Sequence, residues 1–172
     1  MSAVARGRVF VGVDPGLGVT GYGVLSLVDG RVEVKEAGCV RTSGRKPMEN
    51  RLAEIYEGLA EVLREFGPES VIIEDLYSHY RHPRTAIIMG HARGAVYLSA
   101  ANASISVKSY GATMVKKSLT GNGRASKHQV QMTVKNQLRL RTLPEPPDVA
   151  DALAVALCHI NHLAAAPGAR SD

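Results

Sequence analysis

Four carboxylates carry the chemistry this sequence could do. Asp14 closes the apolar run Val9-Phe10-Val11-Gly12-Val13, and Glu74 closes a second, Val71-Ile72-Ile73. Asp148 and Asp151 stand three apart at the head of Ala152-Leu153-Ala154-Val155-Ala156-Leu157. If the two apolar runs are neighbouring strands, Asp14 and Glu74 emerge at one edge of a sheet. A step of three puts Asp148 and Asp151 on one face of a helix. Four converging carboxylates repel one another and raise each other's pKa, and a divalent cation is the simplest relief. Oxygen ligands without His or Cys suit Mg²⁺ or Mn²⁺ rather than Zn²⁺. Two such ions about 4 Å apart can activate water and stabilise the leaving oxygen in phosphodiester cleavage. Asp148 has a second reading: with Asp151 it resembles an acidic N-cap pairing, and acids are favoured in the first turn of a helix. Asp151 is harder to explain that way, because a carboxylate beside a helix that is apolar on most of its circumference is costly without a cation or donors.

The basic residues point to the same substrate. The 172-residue chain has a net charge of +5, unevenly spread. Residues 76–144 hold eleven Lys and Arg, four His and no Asp or Glu, whereas the segments on either side are acidic. Such a stretch predicts a surface that meets a polyanion; the alternative is a solvated basic face with no partner. Lys116, Lys117, Arg124 and Lys127 flank Gly121-Asn122-Gly123. Ser126 with Gln129 three residues on is a capping box, and the helix N-terminus it opens suits a phosphate. The loop after Glu74, LYSHYRHPR, carries Tyr77, Tyr80 and Arg81, and an aromatic, basic loop there could stack on an unpaired base. Tyr77 reads equally well as a half-buried residue at a strand end.

These residues need a scaffold, and the hydrophobic pattern supplies one. The run 9–13 is apolar without alternation, as in a central strand covered on both faces. Asp14-Pro15-Gly16 turns the chain into a second strand over 20–28, Asp29-Gly30 is a hairpin signal, and a half-exposed third strand follows over 31–40. Leu52, Ile55, Leu59, Leu63 and Phe66 then recur at steps of three and four, which predicts a helix over 49–66 stopped by Gly67-Pro68. A strand over 70–73, a helix over 84–101 and a strand over 105–107 come next. A short helix over 113–119, the helix opened by Ser126 and a last helix over 148–163 complete the chain. The order predicts an α/β fold with a five-stranded mixed sheet: a three-strand antiparallel meander, then parallel strands, with helices on both faces. A site at the carboxyl ends of the central strands is expected. Gly90 and Gly94, four apart in the helix 84–101, suit close helix packing.

Composition bounds the rest. The length suggests one domain, over 8–165, with flexible tails at 1–7 and 166–172. Cys39 and Cys158 fit no metal-ligand spacing and read as small core residues. MSAVARGR has no signal-peptide core, and no apolar run approaches the roughly 20 residues of a membrane helix. A soluble, cytoplasmic protein is expected.

Five segments together resemble RuvC-type Holliday junction resolvases: VGVDPGLGVTGYGV at 11–24, IIEDLY at 72–77, GHARG at 90–94, YGATMVKKSLTGNGRASKHQVQ at 110–131 and DVADALAVALCH at 148–159. The resemblance covers about residues 8–165. It implies a ribonuclease-H-like fold and a homodimer that nicks two strands of like polarity in a four-way DNA junction. The products would carry 5′-phosphate and 3′-hydroxyl ends, and RuvA and RuvB would be partners in branch migration. Asp14, Glu74, Asp148 and Asp151 match the family's metal-binding positions. Lys116 and Lys127 match its functional lysines, with Lys127 counted as catalytic. Tyr77 falls where the family carries an aromatic at the crossover. Asp75 departs from the usual pattern and either perturbs the charge of the site or faces solvent.

Three other readings compete. DPGLGVTG is similar to the phosphate turn of actin-like ATPases, but those need two such domains. A DNA-binding module without activity leaves unexplained an acid at the end of each of two apolar strands. A nuclease for RNA–DNA hybrids would share the fold and differ in substrate.

Overall fold

The computed structural model describes residues 7–76 and 83–165. Ten elements follow in the order β1 (Arg8–Asp14), β2 (Val19–Val28), β3 (Arg31–Arg41), α1 (Met48–Phe66), β4 (Ser70–Glu74), α2 (Pro83–Asn102), β5 (Ser106–Tyr110), α3 (Ala112–Thr120), α4 (Lys127–Gln137) and α5 (Pro147–Ala165). The strands form one sheet in the order β3-β2-β1-β4-β5. The β1–β2 and β2–β3 pairs are antiparallel, and β1–β4 and β4–β5 are parallel. This is the mixed meander-then-parallel sheet expected from the pattern.

The uninterrupted apolar runs are explained by burial on both faces. Phe10, Leu25 and Ile72 point to one side and join a core with buried residues of α3, α4 and α5. Val11, Val13, Val24, Val71 and Ile73 point to the other and join Ile55 and Leu59 of α1 and Ala92 and Val96 of α2. At the sheet edge β3 alternates between exposed and half-buried residues, as a strand with one solvated face should. The β2–β3 hairpin turns on Asp29 (φ 48°) and Gly30 (φ 75°), two successive positive φ values that match the right-handed twist of the flanking strands. Helix α1 ends where Gly67 adopts φ 52° and donates its N–H to the carbonyl of Leu63 at 3.0 Å.

Helix α5 is seated on the sheet more closely than a side chain would allow. A Cβ at Gly12 would overlap the carbonyl of Ala152, and one at Gly21 would overlap the backbone of Asp148. Glycine inside these two strands therefore marks a close backbone approach. It brings the start of α5 down beside the end of β1.

Helix α2 leaves large apolar side chains exposed. Ile87 is 61% exposed and Leu98 55%, and Ile88 and Tyr97 are exposed on the same helix. A Cβ at Gly90 or Gly94 would meet open space, so packing within the chain does not account for either glycine. Both instead line an apolar groove of about 500 Å³ with Leu52, Tyr56 and Leu98. Among the described residues no helix is long and apolar enough to cross a membrane.

Candidate active site

Parallel register places the first two carboxylates. Val13 pairs with Ile73, so the residues that follow, Asp14 and Glu74, leave adjacent strands side by side at the carboxyl edge. On its other side Asp14 is paired with Gly21, the glycine on which α5 rests. That seat brings Asp148, in the first turn of α5, and Asp151, one turn on, to the same edge. Asp14, Glu74 and Asp151 line one pocket of about 260 Å³, together with Lys116 of α3 and Lys127 of α4. Larger cavities lie elsewhere, about 550 Å³ between the ends of α1 and α2 and about 930 Å³ beside the β2–β3 turn. Neither brings two carboxylates together.

The electrostatics follow from this crowding. Burial is the main cause that pushes the Asp14 carboxyl up to about 7. The Asp151, Asp148 and Glu74 carboxylates add to it and Lys127 opposes it. Glu74 keeps exposed surface, yet the pocket still takes enough water from its carboxyl to raise it. Asp151 raises Glu74 further, and Lys116 and Lys127 pull it down. Asp75 is exposed, and its charge raises Glu74 less than burial and Asp151 do.

Lys127 is the cation at the centre of this group. Its Nζ donates to Asp151 Oδ2 at 2.6 Å. That bond is the main reason its ammonium is held above the usual lysine range, with the attraction of Asp151, Asp14 and Asp148 adding to it. The capping box fixes the residue that carries it. Ser126 Oγ accepts from the Gln129 N–H at 3.2 Å, and Gln129 Oε1 accepts from the Ser126 N–H at 2.8 Å. Helix α4 therefore begins at Lys127, as the sequence signature predicts.

The other expected residues divide. Asp148 is the second residue of α5, so it is an acid of the first turn, as expected, but not the cap, and among the described residues no side-chain hydrogen bond ties it to the helix backbone. Lys117 and Arg124 are exposed outside the pocket. The Lys117 carbonyl accepts from the Gly121 N–H, and the Arg124 N–H donates to Asn122 Oδ1, both at 2.9 Å. Tyr77, Tyr80 and Arg81 lie outside the described residues. Among those described, no three His, Cys, Asp or Glu side chains stand close enough to hold an ion as they are. The donor chemistry nevertheless fits a hard divalent cation, since the group consists of carboxylate oxygens and their mutual repulsion already shows at Asp14.

One set of supports was not anticipated from the sequence. Thr20, fully buried, donates from Oγ1 to the carbonyl of Gly16 at 2.7 Å and holds the turn after Asp14. Arg51 of α1 donates to Thr42 Oγ1 at 2.9 Å and to the Leu17 carbonyl at 3.2 Å, and so braces that turn from below. The buried threonine in an apolar strand was the available signal. Arg51 gave none, because it reads as part of the polar face of α1.

The family model for crossover junction endodeoxyribonuclease RuvC matches residues 10–159. The crossover junction endodeoxyribonuclease RuvC of Rhodopirellula baltica is 49% identical over 148 residues, which is 86% of this chain and 83% of that one. The structure of Thermus thermophilus RuvC superposes with a TM-score of 0.85 at 35% identity, covering 91% of this chain and 96% of that one. The same protein in complex with a Holliday junction substrate gives a TM-score of 0.85 at 36% identity, covering 90% and 94%. The chain, with its carboxylates at the strand ends and its helix seated on glycine, belongs to the RuvC family of crossover junction endodeoxyribonucleases.

Proposed function

We infer that this chain resolves Holliday junctions in DNA recombination and repair, nicking two strands of like polarity to leave 5′-phosphate and 3′-hydroxyl ends. The observation that carries this reading is the meeting of Asp14, Glu74 and Asp151 with Lys116 and Lys127 in one pocket at the carboxyl edge of the sheet. Family membership and the junction complex of the Thermus thermophilus relative support the choice of substrate.

Asp14, Glu74, Asp148 and Asp151 would hold the metal, Mg²⁺ with Mn²⁺ as the alternative and two ions per site. Bound there, it would activate water and offset charge on the scissile phosphate. The chain's own residues do the rest. The Lys127 ammonium, fixed by Asp151, presents a permanent positive charge to the phosphate, and Lys116 adds a second on the α3 side. Lys117 and Arg124, on the neighbouring surface, suit contacts to the DNA backbone, and Tyr77, Tyr80 and Arg81 contacts at the strand crossover. The exposed apolar face of α2, with glycines that packing within the chain does not require, is the surface for a homodimer whose two sites cut symmetrically. RuvA and RuvB are the expected partners and the cytoplasm the expected compartment.

Cleavage of a labelled four-way junction, compared with a linear duplex and an RNA–DNA hybrid of the same sequence, tests the reading. Paired, ligatable nicks confined to the junction support it. Cutting of the hybrid in preference to the junction would assign a different substrate.

A further inference from the structure

The segment GHARG at 90–94 has no part in the site described above, yet one of its side chains reaches it. Arg93, on α2, donates from Nη1 to the backbone carbonyl of Glu74. Its Nη2 lies 3.5 Å from Tyr97 Oη, and its guanidinium carbon lies 5.8 Å from the centre of the Tyr97 ring. The two residues are one turn apart and share a face of the helix.

We propose that Arg93 is a positioning residue for Glu74, its guanidinium fork steered by Tyr97 onto the carbonyl that ends β4. This rests on the reading of Glu74 as a metal-holding carboxylate. Glu74 is the last residue of its strand, and only one residue further, at Asp75, does the chain still bond to β5, through the Asp75 N–H and the Tyr110 carbonyl at 2.9 Å. Backbone at a strand end has few partners to fix it, and the direction of the Glu74 side chain follows from the backbone that carries it. A charged donor on that carbonyl is stronger than a neutral one. Arginine suits the place because a planar fork can meet a carbonyl with one nitrogen and a phenol with another while stacking on the ring; lysine offers a single ammonium. Arg93 therefore acts through Glu74 and not by contact with the DNA.

The test compares Arg93→Gln, Arg93→Lys and Glu74→Gln in the full chain. Four quantities are read: single-turnover junction cleavage at saturating protein, junction affinity without metal across a salt series, Tm, and Mn²⁺ binding to the DNA-free protein by electron paramagnetic resonance. Arg93→Gln should cut about tenfold more slowly, as a small displacement of a catalytic group does, and should bind Mn²⁺ severalfold more weakly. Its junction affinity, salt slope and Tm should match the wild type. Arg93→Lys should fall between the two. If Arg93→Gln cuts and binds Mn²⁺ like the wild type while Glu74→Gln is inactive, the proposal fails and the reading of Glu74 stands. If Glu74→Gln itself cuts normally, that reading fails. A loss confined to junction affinity, with a shallower salt slope, would make Arg93 a phosphate contact and overturn the proposal. Should Arg93→Gln not fold, Arg93→Lys decides: wild-type cleavage and Mn²⁺ binding would overturn it.

Discussion

Lys127 Nζ lies 2.6 Å from Asp151 Oδ2, so the first residue of α4 is tied to the second turn of α5 across 24 residues of sequence. The bond sets a positive charge among four acids, beside the edge where two strands end. Lys127 is well exposed on its outer side, so the pair matters for the charge it places and little for stability.

Removing that charge should affect chemistry more than binding. Lys127→Ala is expected to slow single-turnover cleavage about 10²-fold, the usual cost of deleting one fixed charge-stabilising donor, while junction affinity changes little. Gel-shift and quenched-flow measurements on one preparation check both. Unchanged cleavage would reduce Lys127 to a surface lysine.

Asp14 links activity to stability through pH. In the folded, metal-free protein, burial and the neighbouring carboxylates push its carboxyl up to about 7, well above the usual carboxylate range. The folded state therefore holds this proton more tightly than the unfolded chain. Stability from this group is present at acid pH and is lost as pH rises from about 4 towards 7. Asp14→Asn should thus be more stable than the wild type at pH 8 in EDTA, by about 1–2 kcal/mol, and the gap should close by pH 4. Thermal melts across this range measure it; a less stable variant at pH 8 would contradict the buried, repelled state of Asp14.

The seat of α5 should be intolerant of a methyl group. A Cβ at Gly21 meets the backbone of Asp148, which cannot rotate away as a side chain could. Gly21→Ala is expected to cost about 1–3 kcal/mol of stability, as overpacking does, and to reduce cleavage by displacing Asp148 and Asp151. Gly18→Ala, where a Cβ would meet open space, is the control and should unfold at the wild-type denaturant midpoint.

The proposed dimer, with α2 as its interface, is tested on that helix. Leu98→Glu puts a charge on the exposed apolar face without touching the core. Sedimentation should show a dimer for the wild type and a monomer for the variant, with paired nicking lost. A variant that stays dimeric would move the interface elsewhere.

Much of the scaffold could be read from sequence because local chemistry decided it. The continuous run at 9–13 meant burial on both faces, Asp29-Gly30 set the hairpin, and Ser126 with Gln129 began α4 where the capping box put it. The last strand was less legible. Ile105–Val107 looked apolar enough, but β5 runs from Ser106 to Tyr110, carried by pairing with β4 through Lys108 and Ser109 at an edge where polar residues are tolerated. Helix α5 begins at Pro147 and includes Asp148, so Asp148 is not a cap. In the site, the residue types and the strand ends that present them were visible. The partners were not: Lys127 with Asp151, Arg51 with Leu17 and Arg93 with Glu74 are far apart in sequence and meet only through tertiary packing. Gly12 and Gly21 were the overlooked clue, since glycine inside a central strand marks a close approach.

The most direct test of the metal nuclease centre is cleavage of a strand-labelled four-way junction by wild type and Asp14→Asn across a Mg²⁺ titration, with junction binding followed in parallel. Paired nicks from the wild type that require Mg²⁺, and none from Asp14→Asn at equal occupancy of the junction, are the predicted result. Cutting by the wild type in EDTA, or by Asp14→Asn at a comparable rate, would contradict a metal centre built on these carboxylates.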